Sequence, residues 1–408
     1  MKPNKNLLIT ATTYPRHKGD SIPDFVHSFA VYLSRQKWVG EVHVLVPHAE
    51  NIATAEIIDG VRIHRYRYWL SQKGENITYG GGVGKIKKTP LYALKLVSLM
   101  LCQLLAAAKI IRREKIDSVN AHWLVPMGFL ATLLKVFMRT PVVVTIHGGD
   151  VFSLKSGAMS RFKTWTLRHA SAVVVNSSAT QKEATKLFSG KKYPIIPMGV
   201  DVKNLQPLPK KPRVAGVPLS LLYVGRLAPE KGVRYLLDAL QIAQKNDISV
   251  TLAIAGTGSE EKALKAQAKN LGISKNVTFL GWVPHAEYPK IFAKNDVFVG
   301  PSIIADNGWQ EAFGLVFAES LALNTPVIAT KTGGIPDIVT NGKNGILVPE
   351  RDAKALAEAI KKLAGDHKYL EKLAKNSRAA VIKKFSWQQT IDRYEQVFAN
   401  VLSPSKKS

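Results

Sequence analysis

Leu219-Ser220-Leu221-Leu222-Tyr223-Val224-Gly225-Arg226-Leu227-Ala228-Pro229-Glu230-Lys231-Gly232 runs from a short apolar stretch into a turn. The first six residues suit a strand buried on both faces. Pro229 suits a turn or a first helical position, and residues 233–240 carry a helical pattern. Strand, turn and helix in that order make a βα unit, the building block of a parallel sheet. Arg226 and Lys231 would then emerge at a strand's carboxyl end, beside a helix start. Arg can grip a diphosphate with two donors, and Lys adds a compact charge. Taken alone, the turn also reads as a solvated pair of Glu230 and Lys231.

The same alternation extends in both directions. Strands are expected at 7–10, 42–46, 119–121, 142–146 and 172–175, then at 249–255, 277–280, 297–299, 327–329 and 346–348. Longer helical stretches separate them, which argues for α/β architecture with parallel sheets covered on both faces. The segment 204–218 breaks the pattern with Pro207, Pro209, Pro212 and Pro218, beside Lys210 and Lys211. It marks a linker between two domains, 1–203 and 219–385. Ligands of such sheets bind beyond the carboxyl ends of the strands, so a cleft between the domains is the expected site.

The chain has 408 residues, enough for two cores. Its one cysteine, Cys102, allows no internal disulfide framework or zinc cluster and fits a reducing compartment. The apolar run 6–11 is too short for a signal peptide and reads as a first strand in a cytoplasmic protein. A net charge of +27 calls for an anionic partner: nucleotide phosphate, lipid headgroup or nucleic acid.

Trp309-Gln310-Glu311-Ala312-Phe313-Gly314-Leu315-Val316-Phe317-Ala318-Glu319 carries the densest chemistry. A helix starting near Gly314 would point free N–H groups at whatever Glu311 faces. Glu319 would project from the body of that helix. An acid, a phosphate seat and a second acid suit a sugar nucleotide, whose hydroxyls donate to carboxylates. The plainer reading of two such acids is an amphipathic helix with exposed charge.

Glycines recur after strands at Gly225, at Gly256-Thr257-Gly258 and at Gly333-Gly334, where backbone can approach a ligand closely. The Gly256 motif lacks the third glycine of a dinucleotide fingerprint, because Glu261 stands there. In the first half, His147-Gly148-Gly149-Asp150 follows a strand, and His147 could bond a reacting sugar hydroxyl. Gly19 lies in the loop after the first strand. No Asp-x-Asp pair, P-loop or Gly-x-Ser-x-Gly elbow is present.

Together these residues resemble the retaining glycosyltransferases of family GT4 (glycosyl transferases group 1). The motifs run in order through Gly225-Arg226, Glu230-Lys231-Gly232, Glu311, Glu319, Pro326 to Thr330, Gly333-Gly334 and Asn344 to Pro349. Asn120-Ala121-His122-Trp123 and Met198-Gly199-Val200-Asp201 add to the likeness. The resemblance implies a GT-B fold of two facing Rossmann-like domains, the first on the acceptor side and the second binding the nucleotide sugar. It also implies a C-terminal helix at 386–401 that packs back toward the first domain; the tail 402–408 reads as disordered.

The resemblance also assigns roles. Arg226 and Lys231 should neutralise the leaving diphosphate. Glu319 should hold the ribose. Glu311 should contact the transferred sugar, with Phe313, Gly314 and Leu315 offering N–H groups. Gly225 and Gly256 join the donor site, and backbone near Trp282 and Val283 should hold the base. His147 should touch the sugar near the reacting carbon, and Gly19 the diphosphate. Asp150 and Trp123 are acceptor-side candidates. Two departures from the family pattern stand out: Ala312 and Asn324 replace common glycines.

The expected activity is sugar transfer from a UDP- or GDP-sugar, UDP preferred, to a hydroxyl acceptor that is lipid-linked or a growing cell-surface polysaccharide. No metal ion, cofactor or nucleic-acid partner is expected. Rival readings are a sugar-nucleotide epimerase, a storage-polysaccharide synthase and a basic nucleic-acid-binding protein. Arg62-Ile63-His64-Arg65-Tyr66-Arg67-Tyr68-Trp69 interleaves bases with aromatics, followed by Lys85, Lys87 and Lys88 and an apolar run at 91–111. That pattern suggests peripheral docking of the first domain on the inner, anionic membrane face. Lys95, Gln103 and Lys109 argue against a membrane span.

Overall fold

The computed structural model describes residues 4–17, 20, 24–79, 89–153, 157–210 and 216–403. Gly19, Lys85, Lys87 and Lys88 lie outside them. The chain divides into two compact units, Met1–Asn176 with Thr180–Ile196 and Thr390–Ser408, and Pro197–Gln389 with Ser177–Ala179.

The first unit is built on a seven-stranded sheet of order β3-β4-β2-β1-β5-β6-β7. Its strands are β1 Lys5–Thr10, β2 Val39–Pro47, β3 Ala55–Ile58, β4 Val61–Tyr66, β5 Ser118–His122, β6 Val142–Ile146 and β7 Ala172–Val175. All neighbours are parallel except β3 and β4. That hairpin went unread in the sequence. Its turn is Asp59-Gly60, both residues with positive φ (49° and 84°), the conformation Asp-Gly hairpins favour.

The hairpin also takes Arg65 out of the row of bases and aromatics at 62–69, whose Arg62 and Arg67 stay exposed. Arg65 is 3% exposed and ion-paired with Glu56 on β3. Arg62 meets Glu41 at 2.9 Å, and Arg67 meets the buried Glu75 at 2.7 Å. All three guanidinium groups are committed to acids of the same unit.

The second unit has a six-stranded parallel sheet of order β10-β9-β8-β11-β12-β13. The strands are β8 Leu219–Val224, β9 Val250–Ala255, β10 Val277–Gly281, β11 Val297–Gly300, β12 Val327–Thr330 and β13 Gly345–Val348. Alternation along β8 splits its side chains between two cores. Leu219, Leu221 and Tyr223 join one core, beneath the helices Val233–Lys245 and Ala353–Gly365. Leu222 and Val224 join the other, with the helices Leu315–Ala322 and Ser377–Phe385. Val233, Leu236, Leu237 and Leu240 repeat at helical spacing and are buried, which holds the first of these helices on the sheet.

In the proline-rich stretch, Lys210 ties the chain to this unit. Lys210 Nζ donates to Asn295 O and Thr325 Oγ1 at 2.7 and 2.9 Å. The last helix, Trp387–Leu402, contributes Tyr394 and Phe398 to the first unit. Tyr394 Oη pairs with Thr145 Oγ1 at 2.9 Å, and Phe398 packs on Trp38.

Candidate active site

The strand order of the second sheet reverses between β8 and β11, the position where loops diverge and leave a crevice. The loop after β8 supplies Lys231, and the loop after β11 supplies Glu311. Lys231 Nζ donates to Glu311 Oε2 at 2.5 Å, and both side chains are largely covered. The Trp309 ring lies 5.3 Å from the same ammonium. Arg226 stands in the β8 loop with its side chain 64% exposed, donating to Glu230 at 2.9 Å. The turn is therefore more than a solvated ion pair: Lys231 crosses to another loop.

The helix Leu315–Ala322 begins where the sequence placed it, with Gly314 at its N-cap in the left-handed region (φ 82°). Phe313 is buried against Phe385 and anchors this start. Glu319, 6% exposed, accepts from His285 Nε2 at 2.9 Å. Ala312 has no positive φ, whereas Asn324 adopts one (53°) just beyond the helix, as a short amide side chain tolerates.

Glycine lets these loops interlock. A Cβ on Gly256 would stand 1.9 Å from Gly225 O, and one on Gly333 1.9 Å from Glu311 O. A Cβ on Gly334 would stand 2.1 Å from Ala312 O. Gly334 N also donates to Glu311 O at 2.9 Å, and Gly256 N to Gly281 O at 2.6 Å. The last bond joins the Gly256 turn to the backbone before Trp282, which is half exposed, and Val283, which packs on the core.

In the first unit, His147 follows β6. One of its Nε2 and His122 Nδ1 donates to the other across 2.8 Å, and the rings stack at 5.0 Å. Phe25 and Trp123 close around His147 at 4.9 and 5.2 Å. Burial lowers the His147 pKa to about 3 and drives that of His122 well below its usual range. Both rings are neutral at pH 7. Trp123 holds a positive φ of 70°, unusual for a bulky residue. Asp150 is 5% exposed and accepts from Leu124 N and Gly148 N at 2.6 and 2.8 Å. Its carboxylate fastens the backbone after β5 to the backbone after β6.

Sequence reasoning named Trp309 and His122 without a role and did not single out His285; they are the immediate partners of Lys231, His147 and Glu319. It also missed a spatial group of Glu41, His43 and Glu114, whose ligand atoms lie within 4.8 Å of one another. Both carboxylates there already pair with arginine, Glu41 with Arg62 and Glu114 with Arg113. A pocket of about 770 Å³ lined by Lys191, Tyr193 and Asn400 contains none of the residues above.

Residues 207–380 match the model of glycosyl transferases group 1, and residues 24–204 that of glycosyltransferase family 4. A glycogen synthase of Mycobacterium tuberculosis is 32% identical over 292 residues, spanning 69% of this chain and 68% of that one. Among solved structures, sucrose-phosphate synthase from Thermosynechococcus elongatus aligns with a TM-score of 0.76 at 21% identity, over 98% of this chain and 100% of that one. Anabaena HepE in complex with UDP-glucose aligns with a TM-score of 0.70 at 19% identity, over 97% and 99%. These likenesses fix the fold as GT-B.

Proposed function

The chain belongs to glycosyltransferase family 4, and on that premise we propose that it moves a sugar from a nucleoside diphosphate donor to a hydroxyl acceptor, keeping the anomeric configuration. The observation that carries this reading is the Lys231–Glu311 pair at the strand-order reversal, beside the start of helix Leu315–Ala322. Charge builds on the leaving diphosphate as the glycosidic bond breaks. Lys231, Arg226 and the N–H groups from Phe313 to Leu315 supply the cations and dipoles that stabilise such charge. Glu311 accepts from hydroxyls of the transferred sugar and Glu319 from the ribose. Backbone beside Trp282 and Val283 meets the base. His147, a neutral imidazole, bonds a sugar hydroxyl.

UDP is proposed before GDP, and the UDP-glucose complex of HepE favours that choice. The countercharge comes from side chains and backbone, so transfer proceeds without a divalent ion. The acceptor is a lipid-linked or nascent polysaccharide hydroxyl on the cytoplasmic side of a membrane. Incubation with a panel of labelled nucleotide sugars, with and without EDTA, tests the reading. Turnover of one donor to an α-linked product from an α-linked donor, undiminished by EDTA, is the expected result. Inversion, or activity restored only by added Mn²⁺ or Mg²⁺, contradicts it. The glycogen synthase relative motivates a second reading, elongation of a storage glucan. Lengthening of a soluble maltooligosaccharide by labelled donor would favour that one.

A further inference from the structure

The helix Pro90–Arg113 is long and apolar enough to cross a membrane, yet one side of it is fastened to the first unit. Leu99, Ala107, Ile110 and Ile111 are buried on that side. Lys95, also buried, donates from Nζ to Gly74 O at 2.9 Å and to Asn76 Oδ1 at 3.4 Å. Ser98 Oγ donates to Tyr68 O at 2.7 Å. The opposite side is bare. Leu91, Leu94, Val97, Leu101 and Leu105 are 52–73% exposed. Spacings of three and four residues set them along one stripe. Leu70, 98% exposed, sits on the loop that the Lys95 and Ser98 bonds tie to this helix. Single exposed apolar residues are ordinary; an aligned row is not.

The stripe spans about 21 Å at the helical rise. It ends at the exposed bases Lys109, Arg112 and Arg113. No acidic residue occurs between Glu75 and Glu114. We propose that this face lies in the plane of an anionic bilayer, with its aliphatic side chains among acyl chains and its bases on headgroup phosphates. The proposal rests on reading the acceptor as membrane-borne. Charge selects the occupant. A second copy on the stripe would set two chains of +27 against each other, whereas an anionic surface attracts the chain. Docking is thereby assigned to the helix and not to 62–69, whose arginines are already paired.

Flotation of the full chain on vesicles decides the matter. At low salt it should float with phosphatidylcholine containing phosphatidylglycerol, not with phosphatidylcholine alone, and salt should weaken the binding. Leu94→Glu with Leu101→Glu should cut partitioning by about tenfold or more, the scale expected when apolar area leaves the interface. The melting temperature and donor hydrolysis in solution should stay unchanged. If that double variant does not fold, Leu105→Ser carries the same test. The idea is overturned by a wild type that does not float, by equal flotation of the variants, or by a dimer in sedimentation that the variants split. Donor turnover is read separately. Flotation without turnover would sink the sugar-transfer reading and keep the docking face. Turnover without flotation would do the reverse, and would point to a soluble acceptor.

Discussion

Lys231 Nζ lies 2.5 Å from Glu311 Oε2, so cation and carboxylate satisfy each other before a ligand arrives. An entering diphosphate must draw the ammonium away, and that exchange frees Glu311 to accept from sugar hydroxyls. Glu311→Gln removes the competitor while keeping the shape. Its affinity for UDP should hold or rise, while turnover falls by about 10²–10³, the scale of losing one group aimed at the transition state. Calorimetry with UDP checks the first and donor turnover the second. Weaker UDP binding by this variant would contradict the exchange.

Lys231→Ala and Arg226→Ala should separate in a different way. Arg226 is largely exposed, and an exposed pair with Glu230 adds only about 0–1 kcal/mol to stability. Arg226→Ala should therefore leave the melting temperature within about 2 °C, while turnover drops by about 10² or more. Turnover within a few-fold of wild type would remove Arg226 from the diphosphate site. Lys231→Ala strands the covered Glu311 carboxylate, so it should lower both turnover and the melting temperature.

Gly333 has a φ of 54°, and a Cβ there would meet Glu311 O at 1.9 Å. Gly333→Ala should destabilise the second unit by about 1–3 kcal/mol, the cost of a strained backbone position, and displace Glu311. Thermal unfolding and UDP binding should both weaken. A variant with wild-type melting and wild-type turnover would show that the loops yield more easily than their contacts indicate.

The neutral histidines of the first unit make stability depend on pH. His147 is lowered to about 3 by burial, His64 to about 4 by burial and the neighbouring His43, and His122 is also lowered. In the unfolded chain, histidines gain protons below about pH 6.5. Between that value and the folded ones, the unfolded state binds more protons, so stability is complete above 6.5 and falls as the pH drops. The melting temperature should be lower at pH 5 than at pH 7.5. The variant His122→Asn with His147→Asn should flatten that difference, leaving the part due to His64 and to His43, which burial also lowers. An unchanged difference would mean that these rings are protonated at little cost.

Short apolar runs made every strand except β3 and β4 legible, because a buried parallel strand needs little besides branched apolar residues. The β3–β4 hairpin sits at a sheet edge, where alternating polar residues blur the pattern; only Asp59-Gly60 announced it. Glu311, Lys231 and Glu319 could be picked out by their order along the chain. His285, Trp309 and His122 could not, because each reaches its partner from a separate loop or strand and no spacing encodes that meeting. Arg65 misled for the same reason. Its neutralising Glu56 is close in space through an antiparallel register that composition does not report.

The interlocked glycines also fix the polarity of individual peptide groups. A trans peptide is planar, so its N–H points opposite to its C=O. The carbonyls of Gly225, Glu311 and Ala312 are pressed against Gly256, Gly333 and Gly334. The N–H groups of Arg226, Ala312 and Phe313 must then point the other way, and none of the three has a backbone acceptor among the described residues. Part of the positive potential in this site is thus set by residues with no side chain. Replacing one of those glycines would rotate a dipole in a loop that the substitution itself never enters.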